Sequence, residues 1–395
     1  MIRLKDTRHQ NTASLLADAI HTAEYYGFKH VDSMQRVRLP APARAKRDDE
    51  ILFARRDERG LMSSAKQCVS CQRNPNETLL LWRLNTGAKD RDAMPAHSLE
   101  LHCVGAPHAM AEALLLVVAD AIASEAGIGR RSLSINSIGS LDSSNRYVRD
   151  VSAFLRKHID SISPALRPRA ATDPLGTLTQ LFEKGHPATP RAPQSMEYLT
   201  EDERKRFWDL LEHLERFGLS YELSPHVLGS RDIWAHTLFE ISSFDEESGA
   251  KVPFATGGRY DPIATRVAGR EIPAAVVTIS CEVRGKTKVK PIERPMPSLY
   301  FAHLGQEARR KTLSVLETLR REGIPILQSL MHEKLGDQME RAKQNKISHL
   351  LIMGHKEAME GTVLVREIAT NSQEAVELTE LPSYLRRYKA LTATI

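Results

Sequence analysis

The sequence predicts a chain of two domains, the second a small α/β unit. Three observations predict it. At 395 residues the chain exceeds one typical domain. A stretch rich in Lys and Pro, Lys286 to Pro297, interrupts the apolar patterning late in the chain. From Ser298 onward, short apolar runs alternate with helical patterns, which implies parallel strand pairing with helices on both faces. The expected organisation is a first domain over 1–285, a linker over 286–297 and a second domain over 298–395.

Composition narrows the class. A hydrophobic content of 41% with 27% charged residues is that of an ordinary soluble globular protein. No run has the length of a transmembrane helix, and the N-terminus lacks the apolar core of a signal peptide, so no membrane partner is expected. A net charge of +5 permits a nucleic-acid partner without demanding one. Four cysteines in so long a chain make no disulfide framework, and a reducing cytoplasm is the expected compartment. Cys68 and Cys71 form a Cys-x-x-Cys pair, but zinc needs two more ligands and only His102 and Cys103 are near in sequence. Unpaired thiols are the plainer reading, and no metal site is assigned.

In chain order, Leu15, Leu16, Ala19 and Ile20 repeat at helical spacing, and Gly27 ends that helix before a strand opening at Phe28. Residues 36–60 read as a polar loop region. Leu79 to Trp82 form a short strand, followed by Arg83 and a polar loop to about His97. A strongly apolar helix spans Ala111 to Gly127. Ile135-Asn-Ser-Ile-Gly-Ser-Leu141 is a strand and turn, leading into a helix that keeps Tyr147, Val151, Phe154 and Leu155 on one side. The proline-rich stretch 163–198 has little periodicity and reads as surface connection. Thr200 opens a helix with acids in its first turn, Phe207, Leu210, Leu211 and Leu214 facing inward, and Gly218 closing it. Phe254-Ala-Thr-Gly-Gly-Arg-Tyr-Asp261 is a strand whose paired glycines suit a bulge or a close backbone approach. Beyond Ser298, strands are expected at Leu299–Ala302, Ile324–Leu327, His349–Met353 and Gly361–Ile368, with helices over Glu307–Arg321 and Leu335–Asn345 and a terminal helix carrying Leu381, Tyr384 and Leu385.

Gly257-Gly-Arg-Tyr-Asp261, together with Asn136-Ser-Ile-Gly139, Phe239-Glu240 and the order of elements after Ser298, resembles the histidyl-tRNA synthetase family. The resemblance runs from residue 10 to 388 and is weak over 36–110. It implies an α+β class II synthetase-like catalytic domain, an antiparallel sheet with helices, carrying a helical insertion over about 163–218. An α/β anticodon-binding-like domain follows. A homodimer, tRNA or protein partners, and ATP with magnesium if the nucleotide pocket survives, are what the family implies.

Carried over position by position, the resemblance places Arg83 at the motif 2 arginine that grips ATP and Glu100 at a glutamine that binds histidine. A surface arginine at a strand end is the competing reading of Arg83. Gly257, Gly258, Arg259, Tyr260 and Asp261 form the loop beside the histidine pocket, and Asp232 and Glu282 match acids of the family. The catalytic arginine falls on Gly229, the motif 3 arginine on Val283, and two tyrosines on Ile233 and Trp234. A guanidinium supplies fixed positive charge where negative charge develops, and glycine supplies none. Arg231 and Arg284 are the residues that could replace the missing pair. Arg309, Arg310, Lys311, Arg341 and Lys343 are candidates for RNA phosphates, with a solvated helix face as the alternative. The expected function is that of a synthetase paralogue that binds tRNA, a nucleotide or a protein partner without aminoacylation. A divergent active histidine–tRNA ligase is one alternative. A regulatory subunit of ATP phosphoribosyltransferase is the other, although that paralogue usually lacks a complete anticodon-binding domain.

Overall fold

A computed structural model describes residues 12–39, 58–86, 96–244, 249–282, 297–332 and 334–387. The predicted linker, apart from Pro297, and Val283 and Arg284 lie outside the described residues.

The N-terminal elements are α1 (Thr12–Tyr25), β1 (Lys29–His30), α2 (Glu58–Val69), β2 (Leu79–Thr86), β3 (Ala96–Val104), α3 (Met110–Glu125), β4 (Arg131–Gly139) and α4 (Leu141–Lys157). They continue as α5 (Arg167–Thr172), α6 (Pro174–Glu183), α7 (Glu201–Phe217), β5 (Tyr221–Leu223), β6 (Ala235–Phe244), β7 (Lys251–Arg259), α8 (Asp261–Ala268) and β8 (Ala274–Glu282). The strands form one sheet in the order β1-β2-β3-β8-β7-β6-β4-β5. Its centre is antiparallel as expected, but the short edge strands β1 and β5 pair parallel to β2 and β4, so the sheet is mixed.

Strand alternation divides the sheet into two unlike faces. One carries Leu99, Leu101, Val277, Ile279, Ala255, Phe239 and Ile135, packed against the almost wholly buried α3. The other faces α2, α4, α6 and α8, and a row of mostly polar side chains crosses it. Register pairs Arg83 with Glu100, Glu100 with Thr278, Thr278 with Thr256, Thr256 with Glu240, Glu240 with Ser134, and Ser134 with Glu222.

The stretch 163–198 is more ordered than its prolines suggested. Pro168 and Pro174 occupy the first turns of α5 and α6, where a missing N–H costs nothing, and Asp173 caps α6 through Gly176 N at 3.0 Å. Leu175, Leu178 and Leu181 are buried. Helix α2 begins inside the expected loop region. Its Leu61, Met62, Ala65, Cys68 and Val69 are all buried at helical spacing, a pattern present in the sequence. Cys71 also lies in that core, whereas Cys103 sits in the core on the opposite side of the sheet, so the three thiols cannot share a metal.

Asn136-Ser-Ile-Gly139 ends β4 against the start of α7. The Thr200 capping box is complete, and the Glu203 carboxylate also accepts from Ser140 N at 2.6 Å and Ser143 Oγ at 2.7 Å. Burial would raise its pKa, but these donors pull it down to about 2.

The C-terminal elements are β9 (Leu299–His303), α9 (Gln306–Arg321), β10 (Leu327–Gln328), α10 (Leu335–Gln344), β11 (His349–Met353), α11 (His355–Glu360), β12 (Thr362–Glu367), β13 (Gln373–Glu377) and α12 (Leu381–Arg387). Their sheet runs β10-β9-β11-β12-β13. The first three strands are parallel, but β12 and β13 are antiparallel, which corrects the expected all-parallel pairing. Strand β13 was not foreseen. It is an edge strand with only Val376 buried, so its charged sequence carries little apolar signal. Gln338 on α10 locks β9, accepting from His303 N at 3.0 Å and donating to His303 O at 2.8 Å.

Helix α9 is the main contact between the two sheets, and Gln328 of β10 adds to it by donating to Tyr26 O at 2.7 Å. Tyr26 donates to Glu317 at 2.6 Å and Tyr25 to Ile324 O at 3.0 Å, while Arg320 pairs with Glu125 and Arg310 with Glu212. His213 on α7 is buried beside this contact. Burial, then the charges of Arg309 and Arg310, push its pKa down to about 4. Arg216 adds to that push, and Glu112 is the one acid opposing it. The unfolded chain therefore takes up a proton near pH 6.5 that the folded chain refuses until about pH 4. The stability His213 contributes is present above the first value and lost as pH falls through the second, by at most about 3 kcal/mol. Urea unfolding midpoints at pH 7 and pH 5 are expected to fall with pH, and a His213→Gln variant to fall less.

Candidate active site

Of the site candidates, Arg83, Glu100 and Tyr260 meet on the polar face of the large sheet, Tyr260 by way of His102. Arg83 is turned inward. Its Nη1 donates to Ser64 Oγ at 2.5 Å and lies 3.5 Å from Glu100 Oε2, so it is not the surface arginine of the competing reading. Glu100 is only 3% exposed, and Asn85 Nδ2 donates to it at 3.3 Å. His102, fully buried, lies 3.3 Å from the same carboxylate and 3.0 Å from Tyr260 OH. The His102 ring thus bridges the Glu100 carboxylate and the Tyr260 hydroxyl. Burial would raise the Glu100 pKa, but His102, Ser64 and Arg83 together hold it low. Burial first, then neighbouring Cys68, Cys103 and Asp261, keep Tyr260 protonated far above its usual range.

Arg259 leaves this face altogether. It is 1% exposed, pairs with Glu112 at 3.0 Å and Asp261 at 3.2 Å, and donates to Ala106 O. Arg206 holds the other oxygen of Glu112 at 2.7 Å. Strand β7, helix α3 and helix α7 are thus tied through one carboxylate. Asp261 Oδ1 also accepts from Ala274 N at 2.7 Å, fixing the start of β8. A Cβ on Gly257 would come 2.2 Å from Val276 O, and one on Gly258 2.4 Å from Thr237 O, so both glycines serve close packing of β7 against its neighbours.

Gly229, where the resemblance places a catalytic arginine, has no room for even a Cβ. A Cβ there would stand 2.3 Å from Trp234 Cδ1 and 2.9 Å from Glu58 Oε1. Trp234, only 4% exposed, donates from Nε1 to that oxygen at 2.8 Å, and Ser230 N donates to it at 2.9 Å. Glu58 is fully buried and was not among the expected site residues. It sits at the first turn of the unforeseen α2, which is why sequence reasoning passed over it. Ile233 is wholly buried. Asp232 takes a hydrogen bond from Arg266 on its backbone oxygen at 2.9 Å. Arg231 reaches Asn145 Oδ1 on α4 at 2.6 Å. Glu282 ends β8 opposite Ala96.

Of the RNA candidates, Arg309 and Arg310 are withdrawn from solvent. Arg309 is 8% exposed, and Arg310 is spent on Glu212 and Glu307 between α7 and α9. Lys311 is half-buried, Lys343 is exposed, and Arg341 lines a cleft of about 530 Å³ with Lys29, Asn76 and His332. Among the described residues no helix is long and apolar enough to cross a membrane.

A family model described as an anticodon binding domain matches residues 299–388. The histidine–tRNA ligase of Rippkaea orientalis is 25% identical over 299 residues, covering 75% of this chain and 69% of that protein. That of Bacillus subtilis is 27% identical over 285 residues, covering 71% of this chain and 67% of the relative. Both matches span about two thirds of the relatives' lengths. The crystal structure of apo S. aureus histidyl-tRNA synthetase covers 97% of this chain and 99% of its own, at 19% identity and a TM-score of 0.51, a likeness of fold.

Two substitutions probe the packing. Arg259→Met strands Glu112 in the core and is expected to cost roughly 3–5 kcal/mol of unfolding free energy, read in urea. Gly229→Arg is expected to destabilise by at least about 1–3 kcal/mol through overpacking against Trp234.

Proposed function

Because the chain belongs to the histidyl-tRNA synthetase family, we propose that it is a member that binds a partner macromolecule and does not aminoacylate. The observation that carries this reading is Gly229, where the indole of Trp234 and the carboxylate of Glu58 leave no room for even a Cβ. Charge supports it as well. Adenylate formation develops negative charge, which preorganised cations must meet. On this face Arg83 is already held by Ser64 and Glu100. The nearest acid to the Gly229 backbone, Glu58, has the wrong sign for a phosphate. The reading carries a homodimer with it, as the family implies.

RNA is the partner class with an observation behind it. Lys29, His332 and Arg341 converge on the cleft between α10 and β1, and an RNA strand there would bind with strong salt dependence. Asp337 and Glu340 line the same cleft and oppose it, so a protein partner is an equal outcome of the test.

Histidine-dependent exchange of pyrophosphate into ATP separates the proposal from a working ligase. The purified chain is expected to show no exchange above a no-histidine control. Exchange that depends on histidine and disappears in Arg83→Gln would establish the ligase reading instead.

A further inference from the structure

The polar face of the large sheet continues past the candidate active site to a second cavity, of about 260 Å³, between β4, β5, β6 and α6. Ser134 pairs in register with Glu222 on one side and Glu240 on the other, so three side chains of one row point into it. Glu222 is satisfied: it accepts from Ser134 Oγ and from Lys251 Nζ, each at 2.6 Å. Glu240 takes only a hydroxyl, from Ser242 at 3.1 Å, and no cation among the described residues pairs with it. The rest of the lining is mixed: Thr179, Glu183 and Ser224 are polar, and Phe182, His226, Val227 and Leu228 supply rings and apolar surface. Phe182 and His226 stack with ring centres 4.3 Å apart and an interplanar angle of 20°.

These features select a ligand. The carboxylate calls for a cation, since Lys251 has already neutralised the neighbouring acid. A metal ion is disfavoured, because no group of three His, Cys, Asp or Glu among the described residues converges to hold one. The stacked rings call for an apolar or aromatic body, and the volume falls just under the range of about 300–1,000 Å³ usual for ligand pockets. We propose that this cavity binds a small organic amine, its ammonium on Glu240 and its apolar body along the Phe182–His226 wall. Lys251 on Glu222 is the internal precedent for the same recognition. The proposal goes beyond the reading of the active site, shares none of its residues, and stands or falls separately from pyrophosphate exchange.

Calorimetric titration of the full chain with 2-phenylethylamine at low salt is the test, beside the neutral 2-phenylethanol and the anionic phenylacetate. The amine is expected to bind at least about tenfold more tightly than the alcohol, since a charged hydrogen bond outweighs a neutral one. Glu240→Gln should abolish that preference, and Lys251→Met, which releases Glu222, should strengthen amine binding. Circular dichroism establishes that each variant is folded. Equal binding of amine and alcohol, binding of neither, a preference for phenylacetate, or amine binding unchanged by Glu240→Gln would each overturn the proposal.

Discussion

The buried guanidinium of Arg259 is the constraint on which the rest of the large sheet depends. A charge removed from water must be matched at once, and here Glu112, Asp261 and the carbonyl of Ala106 match it. Burial would lower the Arg259 pKa, but the two carboxylates more than reverse that. Because Glu112 rides on α3 and is also held by Arg206 of α7, the pairing fixes how both helices lie on β7. The start of α8 and the entry to β8 are set by Asp261. A five-residue segment that invites a functional reading is, in its arginine and aspartate, the anchor of the fold.

That anchoring leaves the other face of the sheet to decide chemistry, and there acids and bases answer one another. Arg83, Glu100, His102 and Tyr260 form one connected set, while Glu58, Trp234 and Ser230 form a second around Gly229. A site that stabilises charge developing on a nucleotide keeps donors aimed at where that charge will appear. Here the donors are aimed at protein atoms. Farther along the same row the pattern loosens, and Thr278, Thr256 and Glu240 are only half-buried.

Much of this was legible in the sequence because apolar periodicity is strong where burial is one-sided. Strands β6, β7 and β8, helix α3 and the Thr200 capping box are of that kind. The resemblance carried by Gly257 to Asp261 and Asn136 to Gly139 gave the architecture and the place to look. Two things were illegible for physical reasons. The direction of an arginine side chain is set by tertiary partners, so Arg309 and Arg310 read as surface cations until Glu212, Glu307 and the interface claimed them. Edge strands such as β13 bury too little to show a pattern. Helix α2 was legible in Leu61, Met62, Ala65, Cys68 and Val69 and was passed over, and Glu58 was missed with it.

The central claim is that Arg83, the arginine the resemblance places at the ATP site, is committed to the protein's own side chains. Calorimetric titration of the folded chain with ATP and magnesium tests it most directly. The account predicts no saturable heat at nucleotide concentrations that fill an ordinary synthetase site. Saturable binding that is lost in Arg83→Gln, in protein that remains folded, would contradict it.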